Sequence, residues 1–148
     1  MDYQDKEFES KIFKDLDLSN QSFSNSTFSD SVFERCNLSN VKLDNSRFQN
    51  VKFKECKILG LNFSKCGRFM MSFSFEKCRI SNSLFSDLKI EDTIFCDCQI
   101  TDCDFVNACL ARSNFEGSDL NGSIFDHTDL CFVSFRNAKN YRINPSQN

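Results

Sequence analysis

The residues with the widest chemical repertoire in this chain of 148 residues are nine cysteines and a single histidine, His127. Thiolates and imidazoles act as nucleophiles and as Zn²⁺ ligands, and both roles need several such groups at short, recognisable spacings. The cysteines follow no C-x-x-C pattern, and the chain has no nucleophile elbow and no phosphate-binding glycine loop. The sequence therefore predicts a protein that is not an enzyme and that holds no metal or cofactor.

Charge is distributed unevenly along the chain, although the formal net charge is only −3. Residues 35–68 contain eight Lys or Arg against two acidic residues, whereas residues 87–129 contain ten acidic residues against Lys89 and Arg112. The two segments therefore carry opposite charge along the length of the chain, whereas the net charge is too small to indicate a partner by itself.

The elements that position these side chains follow a five-residue period, which fits neither an α-helix nor a flat strand. Every fifth residue is Phe, Leu or Ile in two long runs. The first run consists of Phe8, Phe13, Leu18, Phe23, Phe28, Phe33, Leu38, Leu43, Phe48, Phe53, Ile58 and Phe63. The second consists of Phe75, Ile80, Phe85, Ile90, Phe95, Ile100, Phe105, Leu110, Phe115, Leu120, Phe125, Leu130 and Phe135.

The position two residues before each of these centres is mostly small or apolar, as at Ser26, Cys36, Val41 and Ala108, and the other three positions are mostly polar. This pattern predicts a coil in which each five-residue unit forms one side and directs two side chains inward. Five cysteines, Cys36, Cys56, Cys78, Cys98 and Cys103, occupy the small position and are expected to be buried thiols. Cys96, Cys109 and Cys131 are expected to point outward.

Three five-residue units show the repeat most clearly, namely 36–40 (CNLSN), 113–117 (SNFEG) and 118–122 (SDLNG). They are similar to the repeats of the pentapeptide-repeat family, which have a small residue, Asp or Asn, and then Leu or Phe. The resemblance covers residues 6–140 and implies an all-β fold, a right-handed quadrilateral parallel β-helix with four units per coil. At twenty residues per coil this gives a solenoid of about 6.5 coils.

Centres twenty residues apart share their chemical type, which supports four sides independently. We expect one column of phenylalanines to form the structural core: Phe13, Phe33, Phe53, Phe75, Phe95, Phe115 and Phe135.

The period is interrupted between Phe63 and Phe75, which are twelve residues apart. We interpret this as two single-residue insertions around an extra centre at Phe69, with Gly67 at its inward position. Residues 1–148 are then one solenoid domain with a local bulge at about 64–74, since the columns stay in register across it. The alternative is a hinge between two separate stacks.

The side centred on Phe85, Phe105 and Phe125 is the candidate interaction face. We predict that it displays Asp87, Asp104 and Asp126 together with Leu84, Val106 and Ile124, flanked at its corners by Asp102 and Asp129. Acidic and apolar side chains on one surface are typical of a protein-binding site.

Three functions remain open. The first is a rod-like scaffold that binds a protein partner through this face. The resemblance implies a second, because some pentapeptide-repeat proteins imitate duplex DNA, bind DNA gyrase or topoisomerase IV and confer quinolone resistance. The third, nucleic-acid binding through Arg47, Lys52, Lys54, Lys57, Lys65 and Arg68, is less favoured because these residues fall on different sides. Self-association is compatible with all three.

The polar segment 1–10 shows no signal peptide, and no apolar run approaches the ~20 residues needed to span a membrane. An odd number of cysteines without a disulfide pattern is typical of a reducing compartment. We therefore expect a cytoplasmic protein that does not contact membranes.

Overall fold

The computed structural model describes residues 2–148 and consists of short strands joined by tight turns. The strands are β1 Glu7–Glu9, β2 Ile12–Lys14, β3 Thr27–Ser29, β4 Val32–Glu34, β5 Arg47–Gln49, β6 Val51–Lys54, β7 Lys57–Leu59, β8 Phe73–Glu76, β9 Arg79–Ser81, β10 Ile94–Cys96 and β11 Gln99–Thr101. One 3₁₀ helix, η1, spans Phe63–Lys65. In most strands the middle side chain is buried and its neighbours point outward, which is the alternation expected of a strand.

The strands stack in parallel into three sheets, ordered β1-β3-β5, β2-β4-β6-β8-β10 and β7-β9-β11. Each partner lies one coil further along the chain, as in the pairs Phe13↔Phe33 and Ile80↔Ile100. We call the sides bearing these sheets faces 1, 2 and 3. Face 4, which contains Phe23, Phe63, Phe85, Phe105 and Phe125, is held by isolated parallel bridges such as Leu84↔Asp104. The chain is therefore a four-sided parallel β-solenoid, as predicted.

The core is a set of stacked aromatic columns. On face 2 the rings from Phe13 to Phe135 stack with centroids 4.6–5.5 Å apart. Phe33, Phe75, Phe95 and Phe115 are fully buried, whereas Phe135 at the end of the column is partly buried. Complete burial of one such side chain contributes ~1.5–3 kcal/mol, so these columns supply much of the driving force for folding.

The small inward residues satisfy the backbone of the preceding coil. The Ser46 hydroxyl donates to the Phe23 carbonyl at 2.7 Å, and the Thr128 hydroxyl donates to the Phe105 carbonyl at 2.7 Å. The Cys56 thiol makes the same contact with the Phe33 carbonyl at 3.3 Å. Within residues 2–148 no buried side-chain nitrogen or oxygen lacks a partner. Where the inward residue is Ser, Thr or Cys, it is therefore both small and able to donate a hydrogen bond to the coil before it.

The corners explain how a chain with four glycines makes so many turns. The residue two after each centre adopts a positive φ almost throughout, and it is usually Asn or Asp, as at Asn25 (φ 60), Asn107 (φ 60) and Asp87 (φ 62). Asn and Asp tolerate the left-handed region better than other non-glycine residues. The abundant Asn and Asp therefore serve mainly as turn residues, and the Asp side chains also add surface charge.

The irregular segment differs from the prediction in its details. Pairs across it are 22 residues apart, as in Phe53↔Phe75 and Asn62↔Leu84, so the coil is two residues longer, as expected. The assignment of Phe69 to the core is wrong, because its side chain is 67% exposed. The inward residue is Cys66, which is buried, and not Gly67. Phe73 takes up the core space instead: it is 5% exposed, and its ring centroid lies 5.6 Å from that of Phe63.

The strand ladder is shorter than the predicted number of coils. The longest sheet has five strands, which corresponds to about five turns of strand against the predicted 6.5. Beyond β11 the coils continue only as isolated bridges, ending with Asp119↔Lys139. Tyr3 covers the core at the first coil, with its ring centroid 5.7 Å from that of Phe23. Tyr141 stacks on Phe135 at 4.8 Å at the other end.

Candidate interaction face

Face 4 brings the predicted apolar and acidic side chains together in two columns. Leu84, Asp104 and Ile124 form a continuous series of parallel bridges, so their side chains lie on successive coils. Val106 and Asp126 follow the buried Phe105 and Phe125 on the other side of the aromatic column. Leu84 and Ile124 are 39% and 46% exposed, and Asp126 is also exposed. We call Leu84, Asp87, Asp104, Val106, Ile124 and Asp126 the acidic–apolar face.

Asp87 occupies one corner of this face, and the two remaining acids, Asp102 and Asp129, lie at or beyond its corners. Asp87 has φ 62 and begins the turn toward face 1, and Asp102 has φ 53 at the opposite corner. Asp102 lies under Gly122 of the next coil, where a Cβ would collide with Asp102 Oδ1. Asp129 bridges to Cys109 and lies around the corner on face 1, so it borders the acidic–apolar face.

Two of these carboxylates have structural hydrogen bonds. Asp104 Oδ1 accepts from the Val106 backbone N–H at 2.8 Å, and Asp129 Oδ1 accepts from the Cys131 backbone N–H at 3.0 Å. The Cys131 backbone, and then its thiol, hold the pKa of Asp129 below its usual value. These local turns each use one carboxylate oxygen, and Asp129 Oδ2 also accepts from the Cys109 thiol at 3.5 Å. Asp104 and Asp129 therefore combine a turn-forming role with their surface charge.

A coil rich in Lys and Arg marks the N-terminal boundary of the acidic surface. Residues 41–60 carry Lys42 on face 4, Arg47 on face 1, Lys52 and Lys54 on face 2 and Lys57 on face 3, so positive charge surrounds the rod there. The acidic surface lies C-terminal to this coil. Part of it is neutralised locally, since Arg112 Nε lies 2.9 Å from Asp92 Oδ1 and holds the pKa of that carboxyl below its usual value.

The bulge adds exposed apolar side chains beside the acidic–apolar face. Phe69 and Met70 are each 67% exposed, and Arg68 Nη1 donates to the Asp87 carbonyl at 3.0 Å. At the other end of the face, Ile124, Asp126 and Arg142 line an open cleft of about 410 Å³. The break in the five-residue period is the sequence signal for this segment, but the period alone does not show that Phe69 points into solvent.

Six of the nine thiols are buried, Cys96 and Cys109 are partly buried, and one thiol is exposed. Cys36, Cys56, Cys66, Cys78, Cys98 and Cys103 are buried, and Cys131 is exposed. Burial raises the pKa of the Cys103 thiol to about 12 and that of the Cys66 thiol to about 12. Among residues 2–148 no three His, Cys, Asp or Glu side chains are arranged to hold a metal ion. None of the helices described there has the length and apolar character to cross a membrane.

Two family models match the chain. A model described as "Pentapeptide repeat region" matches residues 6–67, and one described as "Pentapeptide repeats (8 copies)" matches residues 78–117 and 113–139. Together the matches leave out residues 68–77, which include most of the bulge. A comparison with curated proteins gave no match.

Solved structures with the same fold include two forms of QnrB1, described as a plasmid-mediated fluoroquinolone resistance protein. A trypsin-treated variant has 16% sequence identity and a TM-score of 0.72, covering 98% of this chain and 81% of that chain. Full-length QnrB1 has 15% identity and a TM-score of 0.60, covering 99% of this chain and 84% of that chain. At these identities the likeness shows the fold.

Proposed function

Because the chain belongs to the pentapeptide-repeat family, we propose that it acts by binding a protein partner through its acidic–apolar face. The observation that carries this proposal is the bridged column Leu84–Asp104–Ile124, in which exposed apolar side chains alternate with an acid on successive coils. An exposed apolar patch interrupted by charges is typical of a docking surface. A complementary partner would present basic groups between apolar side chains.

The bulge extends this surface. Arg68 ties the segment to the Asp87 backbone, which holds the exposed Phe69 and Met70 at the edge of the acidic–apolar face. Aromatic residues and methionine are enriched at protein interfaces, where they fill pockets on the partner. We therefore include Phe69 and Met70 in the proposed contact surface.

A non-enzymatic role fits the state of the groups that could do chemistry. The Cys103 thiol has a pKa raised to about 12 by burial, and the Ser46 and Ser123 hydroxyls donate to backbone carbonyls at 2.7 Å. A nucleophile needs an accessible side chain and a base to activate it. These groups instead stabilise the stacking of the coils.

A second candidate function is imitation of DNA toward a type II topoisomerase. Residues 87–129 place ten acids on successive coils of a narrow rod, and regularly spaced acids can imitate a phosphate lattice. The fold likeness to QnrB1, a fluoroquinolone resistance protein, supports testing this candidate. The basic coil at 41–60 restricts such a surface to the C-terminal part of the rod.

The test of the proposed face is a triple substitution, Asp87→Asn, Asp104→Asn and Asp126→Asn. The matched control, Glu7→Gln, Glu9→Gln and Glu91→Gln, removes the same charge from face 1. Partners captured from the native cell by the wild-type chain should be lost with the triple variant and retained with the control. Equal capture by both variants would show that this face is not the contact surface.

The alternative is tested with purified gyrase and topoisomerase IV. Supercoiling and decatenation are measured across a titration of this protein, with and without ciprofloxacin. Inhibition or drug protection that the triple variant loses supports the topoisomerase candidate. No effect with the wild-type chain removes that candidate and leaves the scaffold proposal in place.

A further inference from the structure

Face 2 carries a column of outward charges that alternate in sign from coil to coil. Strand pairing places Lys14 beside Glu34, Glu34 beside Lys54, and Lys54 beside Glu76. The full column consists of Lys14, Glu34, Lys54, Glu76, Cys96, Glu116 and Arg136. From Lys14 to Glu76 the outward charge therefore changes sign on each successive coil.

The adjoining corner repeats the alternation with the opposite sign on each coil. This column consists of Asp15, Arg35, Glu55, Lys77 and Asp97, each with a positive φ. On every coil from the first to the fourth, a charge on face 2 therefore lies next to its opposite at the corner. Together the two columns form a checkerboard of charge with almost no net sign.

A third column on the same face is partly apolar. It consists of Ile12, Val32, Lys52, Ser74 and Ile94, of which Ile12 is 70% exposed and Ile94 is 46% exposed. An open groove of about 330 Å³ runs along the middle of the face, between Lys54, Glu76 and Ile94. The longest sheet of the rod thus presents an open surface that combines apolar and charged side chains.

Several of these charges have no partner within the chain. Arg35 pairs with Asp15 at 2.7 Å and reaches Glu55 at 3.9 Å. Among the ion pairs closer than 4.0 Å in residues 2–148, none involves Lys54, Glu76 or Lys77. Their charged ends are free to pair with another molecule.

A checkerboard of this kind is complementary to a second copy of itself. The two-fold axis of such a pair lies in the plane between the two faces, perpendicular to the rod, and passes between the coils of Phe53 and Phe75. It makes the second copy antiparallel to the first, and each column then faces the same column of the other copy. The third coil of one copy then faces the fourth coil of the other, and the second faces the fifth. The contacts across this axis are Lys54 with Glu76, Glu55 with Lys77, Arg35 with Asp97, Lys14 with Glu116, and Val32 with Ile94.

Charge disfavours a shift of the axis by half a coil. Moving the axis by half a coil, onto the coil of Phe75, would set Glu76 against itself and Lys54 against Cys96. Moving it onto the coil of Phe53 would set Lys54 against itself and Glu34 against Glu76. Like charges placed opposite each other oppose association, so an axis between two coils is favoured over an axis through a coil.

We propose that face 2 is the interface of an antiparallel homodimer of this chain. The inference does not rest on the proposed function, because face 4 lies on the opposite side of the rod and stays free in the dimer. Six facing coils at ~4.8 Å each give a contact ~29 Å long but only one face wide, which belongs to the class of small, weak interfaces. The dimer is therefore concentration-dependent and weakened by salt.

The test exploits the two-fold symmetry of the contact. In a dimer of K54E, the new glutamate of each copy faces Glu76 of the other copy, so two repulsive contacts form. In a dimer of E76K, the new lysine of each copy faces Lys54 of the other copy, which again gives two repulsive contacts. Each variant alone should associate at least about tenfold more weakly than the wild-type chain. An equimolar mixture of K54E and E76K restores both attractive contacts and should form a mixed dimer. Analytical ultracentrifugation over a concentration series measures all four samples.

Two controls separate this arrangement from a general charge effect. K57E changes the charge of face 3 by the same amount and should associate like the wild-type chain. Thermal unfolding followed by circular dichroism should show that K54E, E76K and K57E keep the fold. A mixture that stays monomeric, a K57E chain that dissociates like K54E, or a wild-type chain that is monomeric at all concentrations would overturn the proposal.

Cross-linking checks the register directly. A zero-length carbodiimide reagent is added to an equal mixture of ¹⁴N- and ¹⁵N-labelled wild-type chains. Mass spectrometry should find a Lys54–Glu76 link joining a light peptide to a heavy one. If every such link joins peptides of the same label, the contact is within one chain and the antiparallel register is wrong.

Discussion

The rings of Phe105 and Phe125 lie parallel, with 2° between their planes and centroids 5.0 Å apart. Phe105 also meets Phe115 of face 2, on the opposite side of the rod, edge-on, with centroids 6.0 Å apart and 90° between the planes. Phe105 is therefore held both by its own column and by the column on the opposite side. This two-way packing makes the aromatic core of the rod continuous from coil to coil.

Phe105→Ala should lower the free energy of unfolding by ~3–5 kcal/mol, because it opens a cavity inside a stacked column. Urea unfolding followed by circular dichroism measures the change. Phe132→Ala is the matched control, since that side chain is 90% exposed and its loss should change stability by less than about 0.5 kcal/mol. Equal stability of Phe105→Ala and the wild-type chain would contradict the assignment of Phe105 to the core.

Gly122→Ala should destabilise the rod by ~1–2 kcal/mol from its backbone conformation alone. Gly122 has φ +75, and the added Cβ would also collide with Asp102 Oδ1 of the preceding coil. Gly67→Ala is the comparison, because a Cβ there meets the flexible Arg47 side chain at 3.0 Å and the φ is not positive. Thermal unfolding of the two variants should rank Gly122→Ala well below Gly67→Ala.

Alkaline pH should destabilise the protein through its buried thiols. Burial raises the pKa of Cys103 to about 12 in the folded chain, whereas an unfolded cysteine titrates near ~8.5. The stabilising effect of the neutral thiol is complete below the unfolded pKa and is lost as pH rises toward the folded one. Its slope is at most about 1.4 kcal/mol per pH unit for each thiol.

Cys103→Ser isolates this contribution. The inward positions of the neighbouring coils are Ser83 and Ser123, so a serine fits the column. The melting temperature of Cys103→Ser should fall less steeply between pH 9 and 11 than that of the wild-type chain. Identical slopes would show that Cys103 does not contribute to the pH dependence.

Asp129→Asn should increase the alkylation rate of Cys131 at a fixed pH. A hydrogen bond with Asp129, and then its negative charge, raises the pKa of the exposed Cys131 thiol. Removing the carboxylate lowers that pKa and increases the thiolate fraction, and the thiolate is the reactive form. Peptide mapping after brief iodoacetamide treatment measures the rate at Cys131. Asp126→Asn serves as control, and a similar acceleration there would indicate a general effect of net charge.

Much of this structure could be predicted because each five-residue unit repeats one environment. The stacking of Phe13 on Phe33 follows from twenty-residue spacing alone, since each coil pairs only with its neighbours. Prediction from the repeat fails where side-chain volume decides which residue enters the core. Phe73 stands at the inward position that holds Val51 on the preceding coil and Thr93 on the following one, and its ring takes the space that a side chain at Phe69 would need.

The acidic–apolar face shows a second limit of what can be predicted from the sequence. The sequence places Asp104 and Asp126 on one side of the rod, but it does not show that Asp104 accepts a backbone hydrogen bond within its own turn. It also places Asp129 at a corner, whereas the bridge to Cys109 sets that residue on face 1. Hydrogen-bond geometry at the corners, rather than the period, decides which carboxylates remain free for a partner.

The longer coil at the bulge also has a practical consequence for protein engineering. Two additional residues are absorbed within one turn, and pairing resumes in register at Phe75 and Leu84. Since Phe69 and Met70 point into solvent there, a foreign peptide inserted between them should be displayed as a surface loop without shifting the coils on either side. The rod thus contains a natural grafting site midway along its length.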